Sequence, residues 1–247
     1  MKTTLYSIEG KALKQIDLPE VFEGHYRDDL IKRAVLSDES KEYQPKGSYK
    51  FAGLETSAKY RGRKEMYGAI KNKGIPHLPH EVQPKGQFGK VKRVPHAVKG
   101  RRAHPPKPET KIIEEVNKKE YRKALMSALA ATAQKDVVNA RYKKLSLASY
   151  PLVMDNSFES LKKTQDVLKV FELLNLNSMV INSKSNGCKG ALVVATGNVL
   201  KAAKNIAGVE TVSPSKLKVK HLAPGCAGGR VTIYSENALN ELKKMFA

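Results

Sequence analysis

Tryptophan is absent, cysteine occurs only twice, and acidic residues are few, 24 against 45 lysines and arginines in a chain of 247 residues. Cys188 and Cys226 form no C-x-x-C, which speaks against a disulfide framework or a structural zinc site and for small side chains in a reducing compartment. No apolar run reaches the roughly 18–20 residues that span a bilayer, and no lysine-rich amphipathic helix carries Trp or Phe on its other face, so no membrane partner is expected. The opening MKTTLYSIEGKAL lacks the apolar core of a secretory signal, and an intracellular protein is expected.

Motifs of catalysis are missing as well. The first strand of the expected α/β part ends Val153-Met154-Asp155-Asn156 with no glycine, where a phosphate cradle needs backbone N–H groups brought close by G-x-G-x-x-G. Gly187-Cys188-Lys189-Gly190 and Gly225-Cys226-Ala227-Gly228-Gly229 both open onto strands and read as turns. There is no G-x-S-x-G. His77 and His80 are spaced H-x-x-H, with His96 and His104 nearby, but Pro79 keeps the pair off a helix and no acid or Cys cluster completes a ligand set. These histidines read as RNA-stacking or solvent-exposed. Asp155 is the one residue worth testing for catalysis, and it reads better as a helix cap. No cofactor, metal or small-molecule substrate is expected.

What is present is positive charge, and it is concentrated. Between Gln44 and Lys107 lie sixteen Lys or Arg against Glu55, Glu65 and Glu81, which is +13 of the chain's +21, together with eight of seventeen glycines and seven of twelve prolines. Apolar residues there keep neither helical nor strand period, so no core is expected. Ordering such a stretch costs roughly 60–130 kcal/mol of backbone entropy. A polyanion can supply the offset, because cations meet phosphates and Tyr49, Phe51, Tyr60, Tyr67 and Phe88 can stack on bases. From Lys85 to Arg102 a cation recurs every two or three residues along what prolines and glycines suggest is an extended track.

The remainder is periodic. A hairpin is expected from residues 3–8 and 12–18, a helix at 26–38, and helix over 111–133, continuous or broken near Asn117, with a capping box of Asn117 and Glu120. From Tyr150 strands and helices alternate: strands at 151–154, 179–182, 191–195, 209–212 and 230–234, with helices between and a closing helix at 236–246. The expected fold is α/β, a mostly parallel open sheet flanked by helices with a long basic loop. Residues 1–43 and 108–247 would form the body, and 44–107 the loop.

Two longer stretches, KVKRVPHAVKGRRAHPPK and EEVNKKEYRKALMSALAATA, resemble the universal large-subunit ribosomal protein four family in its archaeal and eukaryotic form. YPLVMDNSFESLKKTQDVLKVFELL and LAPGCAGGRVTIYSENALNEL are similar to it too. The resemblance implies a non-catalytic constituent of the cytoplasmic large subunit. Its partners would be large-subunit ribosomal RNA and neighbouring ribosomal proteins, with the loop tip, within 57–80, near the nascent peptide at the exit tunnel. The rRNA-binding residues would be Lys46, Lys50, Lys59, Arg61, Arg63, Lys64, Lys71, Lys73, Lys85, Lys90, Lys92, Arg93, Lys99, Arg101, Arg102 and His104. Where many relatives have Ser-Trp/Phe-Gly-x-Gly-Arg, this chain has Ala58-Lys59-Tyr60-Arg61-Gly62-Arg63, and only Ser183–Gly190 stands where many carry a Gly/Arg-rich insertion. The alternatives are an RNA-modifying α/β enzyme using a nucleotide or methyl donor, which the missing glycine loop opposes, and a DNA-binding protein, which 2′-hydroxyl dependence would separate.

Overall fold

A computed structural model describes residues 1–142, 147, 149–186 and 189–246. Its described strands are β1 (Lys2–Tyr6), β2 (Ala12–Asp17), β3 (His80–Val82), β4 (Phe88–Val91), β5 (Leu152–Met154), β6 (Leu192–Val194), β7 (Glu210–Val212) and β8 (Thr232–Ser235). Its described helices are α1 (Asp28–Ser40), α2 (Lys118–Ala133), α3 (Lys135–Arg141), α4 (Thr164–Leu173), α5 (Asn177–Asn186), α6 (Val199–Ala203), α7 (Val219–Leu222) and α8 (Glu236–Phe246). The chain divides into two compact units, Met1–Glu42 with Ile113–Ala247, and Tyr43–Ile112.

The first unit is built on a six-stranded sheet in the order β2-β1-β5-β8-β6-β7. Only the β1–β2 hairpin is antiparallel, and the other pairings are parallel, with Leu5 opposite Val153, Val153 opposite Tyr234, and Val193 opposite both Ile233 and Thr211. Central strands that are apolar at every position must be covered on both faces, and they are. Val153, Leu192, Val194 and Tyr234 face a core with α1, α2 and α8; Leu152, Met154, Val193 and Ile233 face another with α4, α5 and α6. Ala124 and Ala128 on α2 are wholly buried, and such small side chains let α1 approach closely. Ser235 closes β8 and caps α8, its Oγ accepting from the Ala238 N–H at 3.1 Å.

Three expectations need correction here. Residues 111–117 are not helical, and α2 begins at Lys118. The Ser37 hydroxyl donates to the Glu114 carbonyl at 2.6 Å and the Glu114 N–H donates to Ser40 Oγ at 3.0 Å, so α1 satisfies backbone groups that a longer helix would have used. The capping box does not form: the Asn117 side chain makes no cap bond, and Glu120 instead pairs with Arg33 at 2.9 Å. Finally, 179–182 is not a strand but part of α5. A short apolar run fits either element, and here Met179 and Val180 enter the core from a helix.

The second unit also departs from expectation, because it has a small nucleus. β3 and β4 pair antiparallel with His80 opposite Val91, and Lys59 bridges to His80. Ala58, Ala69, Ile70 and His80 are buried. The segment from Lys85 to Arg102 is not an extended track, since Lys85, Arg93 and Lys99 take positive φ of 60°, 70° and 59° and turn the chain. At Gly100 an added Cβ would lie 1.9 Å from the Val94 carbonyl, an approach only glycine permits.

Candidate nucleic-acid interface

Of the sequence-selected residues, Lys46, Lys50, Lys59, Arg63, Lys64, Lys71, Lys73, Lys85, Lys90, Arg93, Lys99, Arg101, Arg102 and His104 are exposed, while Arg61 and Lys92 are half-buried. Three of the sixteen are turned toward the unit's own backbone. Arg61 Nη1 donates to the Tyr67 carbonyl at 3.0 Å, Lys92 Nζ to the Val98 carbonyl at 3.3 Å and Arg93 Nη1 to the Ala58 carbonyl at 3.4 Å. Arg63 lies 3.9 Å from Glu65, and the Lys73 ammonium sits 5.2 Å from the Phe88 ring centroid. The side chains of the rest have no hydrogen-bond or ion-pair partner among the described residues. Unpaired exposed cations on a unit with few acids repel one another, and a polyanion relieves that repulsion while releasing its own counterions.

His80 is neither a stacking ring nor exposed, contrary to expectation. Its Nδ1 lies 3.0 Å from the Gly89 carbonyl and its Nε2 3.0 Å from the Pro76 carbonyl, with Phe88 edge-on at 6.0 Å. It ties the ends of the hairpin to the preceding turn. The sequence showed four histidines in one basic stretch, and nothing in their spacing marked this one as internal.

In the first unit, the place where an open α/β sheet would hold a ligand is filled by the chain itself. Ligands of such sheets bind beyond the carboxyl ends of the strands, where the strand order reverses. Here β8 lies between β5 and β6, and Glu159, in the 3-10 turn Asn156–Ser160 after β5, spans that end. Its carboxylate accepts from the Thr196 N–H at 3.0 Å, the Thr196 hydroxyl at 2.8 Å, the Ser235 hydroxyl, and Asn237 Nδ2 at 3.0 Å. Burial works against its charge, but the donors from Ser235, Asn237 and Thr196 outweigh burial and hold its carboxyl below the usual glutamate range. Asp155 accepts from the Ser157 hydroxyl at 2.6 Å and from its N–H at 3.4 Å, and the hydroxyl bond chiefly lowers its pKa. It is a cap, and both of its bonds to Ser157 belong to the turn that it starts.

The glycine-rich loop before β8 serves packing. An added Cβ at Gly228 would come within 2.7 Å of the Tyr26 ring, and one at Gly229, φ +78°, within 2.8 Å of Val137. Cys226 is half-buried; Cys188, with Gly187, lies outside the described residues. No cluster of three or more His, Cys, Asp or Glu with metal-holding geometry occurs among the described residues.

A family model described as the ribosomal protein L4/L1 family matches residues 16–245. The chain belongs to the ribosomal protein L4/L1 family. Among its relatives, the large ribosomal subunit protein uL4 of Methanocaldococcus jannaschii is 42% identical over 265 aligned residues covering the whole of both chains. The proteins of the same name from Methanococcus maripaludis and Haloquadratum walsbyi are 39% and 35% identical, the latter over 98% of this chain and 99% of its own. Membership makes this a structural ribosomal protein of archaeal type and not an enzyme.

Sequence reasoning placed all candidate contacts in the loop and overlooked the first turn of α2. Arg27, Lys118, Lys119 and Lys123, together with Glu120, line a cavity of about 510 Å³ there, beside Asn117 and Leu30. The signal was in the string Asn117-Lys118-Lys119-Glu120-Tyr121-Arg122-Lys123, whose helix-forming strength drew attention away from its charge.

Proposed function

We propose that the chain is a constituent of the cytoplasmic large ribosomal subunit, binding large-subunit ribosomal RNA and abutting neighbouring ribosomal proteins. Residues 1–43 and 108–247 act as the body, and residues 44–107 as an arm that enters RNA and fixes the packing of segments that would otherwise repel. The observation that carries this reading is the set of exposed, unpaired cations on the unit Tyr43–Ile112, whose apolar nucleus is too small to account for so much ordered chain. Phosphate contacts from these cations set register and orientation rather than read sequence. The rRNA-contacting residues on this reading are the sequence-selected set, with Arg61, Lys92 and Arg93 acting partly by holding the arm's shape. The tip lies within 57–80, at the wall of the peptide exit tunnel and close to the nascent chain.

Co-sedimentation is the direct test. The full-length protein should travel with large subunits and stay with them through a high-salt wash. Its release at a salt concentration that strips loosely held basic proteins would reduce the arm to a charged tether.

A further inference from the structure

The arm carries five aromatic rings, and their surroundings are not equivalent. Phe88 is half-buried between His80 and the Lys73 ammonium. Tyr49 and Phe51 stand edge to face at 5.9 Å, and the Tyr49 hydroxyl donates to Glu55. The Tyr60 ring lies against Gly62, where an added Cβ would come within 2.7 Å of its hydroxyl. Tyr67 is 80% exposed, the most of the five, and has no ring, cation or hydrogen-bond partner for its side chain among the described residues; its hydroxyl end passes Gly86, where an added Cβ would come within 3.0 Å, and its ring faces stay in water.

Its backbone, by contrast, is fixed from both sides. Arg61 Nη1 donates to the Tyr67 carbonyl, and the Ile70 N–H donates to the Arg61 carbonyl at 3.0 Å, which closes the loop between them. Ala69 and Ile70, just after it, are buried. Gly68 turns the chain at φ +71°, and a Cβ there would lie 2.6 Å from Arg61 Nη1. The result is a large apolar ring held at a set position and left in water, which forgoes burial that would otherwise be favourable. Arg63, Lys64 and Lys71 flank it in sequence and are exposed, and of the acids only Glu65, 3.9 Å from Arg63, stands among them. An occupant must therefore present a flat apolar face next to phosphate charge.

We propose that Tyr67 is a stacking platform for an unpaired RNA base and that Arg61, through its bond to the Tyr67 carbonyl, positions it. This rests on the RNA-binding reading of the arm. In a duplex the base faces are already stacked and the deep groove excludes side chains, so the partner is a loop, bulge or single strand. Tyrosine suits the task because base–ring stacking tolerates any base.

The test uses the full-length protein with a single-stranded oligouridylate carrying one 2-aminopurine, and an RNA duplex of the same length. Y67F should bind the single strand as the wild type does. Y67A should weaken that binding by about five- to a hundredfold, abolish the quenching of 2-aminopurine, and leave duplex affinity unchanged. R61Q should shift the single strand in the same direction, and Y67A combined with R61Q should lose little beyond Y67A alone. Wild-type quenching in Y67A, or equal losses on single strand and duplex, overturns the platform while leaving RNA binding by the arm intact. Failure of the wild type to bind either RNA at low salt removes the parent reading and this one with it.

Discussion

Arg230 is wholly buried, and its Nη1 donates to Glu210 Oε2 at 2.5 Å; its Nε donates to the Gly190 carbonyl at 2.7 Å, and Nη1 also reaches the His221 carbonyl at 2.8 Å. One guanidinium thus joins the residues that lead into β6, β7 and β8. Removing one member of a buried pair leaves the other uncompensated, at a cost of about 3–5 kcal/mol. Glu210 keeps 28% side-chain exposure, which favours the lower end. R230A should lower the melting temperature of the body by roughly 6–12 °C. K189A, which removes the more exposed partner of Glu210, should shift it by no more than about 4 °C. Equal shifts would mean that the buried guanidinium carries no special role.

The acid limb of stability follows from the same groups. Burial opposes the charge of Glu210, but hydrogen bonds from Lys189 and Arg230 prevail and its pKa is lowered, as is that of Glu159. A carboxylate with a depressed folded pKa contributes stability above its unfolded value, and that stability is lost as pH falls through the folded one. His221 is pushed down chiefly by burial, so protonating it also opposes folding. Thermal stability should be level near neutrality, fall gently below the ordinary histidine value of 6.5, and fall steeply below the glutamate value of 4.5. E159Q should flatten the steep limb in melts recorded across pH; an unchanged limb would assign acid sensitivity elsewhere.

His80 supplies a third test. H80F keeps a ring of similar bulk but removes the ring N–H, so that whichever carbonyl accepts it, Gly89 or Pro76, loses that partner beside a buried side chain. One such hydrogen bond contributes about 0.5–1.5 kcal/mol, a sizeable share of what a nucleus of so few buried residues supplies. In the free protein, trypsin should cut H80F within 46–102 several times faster than the wild type, while fragments from about 113 onward persist. Equal cleavage rates would show that the nucleus does not protect the arm.

The fold of the body was legible because its strands and helices carry their own periodicity: the apolar run Ala191–Ala195 became β6 with its flanks, and Ser235 capped the helix it precedes. What failed failed for tertiary reasons. Ser37 and Ser40 claimed the backbone at Glu114, Arg33 claimed Glu120, and Met179–Asn182 took helical form because a short apolar run does not choose its own element. In the arm, charge and composition were readable. The internal uses of Arg61, Lys92, Arg93 and His80 were not, because each depends on a backbone carbonyl brought near by a turn that no local pattern announces.

The internal bond of Arg93 also decides how charge and shape are to be separated in the arm. Arg101 and Arg102 are exposed without partners among the described residues, so their planar forks are available to hold phosphate bidentately or to stack, which lysine cannot do. R101K with R102K keeps the charge. It should leave the log–log salt slope for RNA binding nearly unchanged, since that slope counts neutralised phosphates at roughly 0.7–0.9 each, yet it should impair incorporation into large subunits severalfold. R93K instead weakens the bond to the Ala58 carbonyl and should raise trypsin sensitivity before any RNA is added. K201A with K243A and K244A, which removes three cations from exposed helix positions on the body, should leave both the slope and incorporation nearly intact. If incorporation instead tracks net charge across all of these variants, the arm's fork geometry plays no part, and its cations act only as a diffuse positive field.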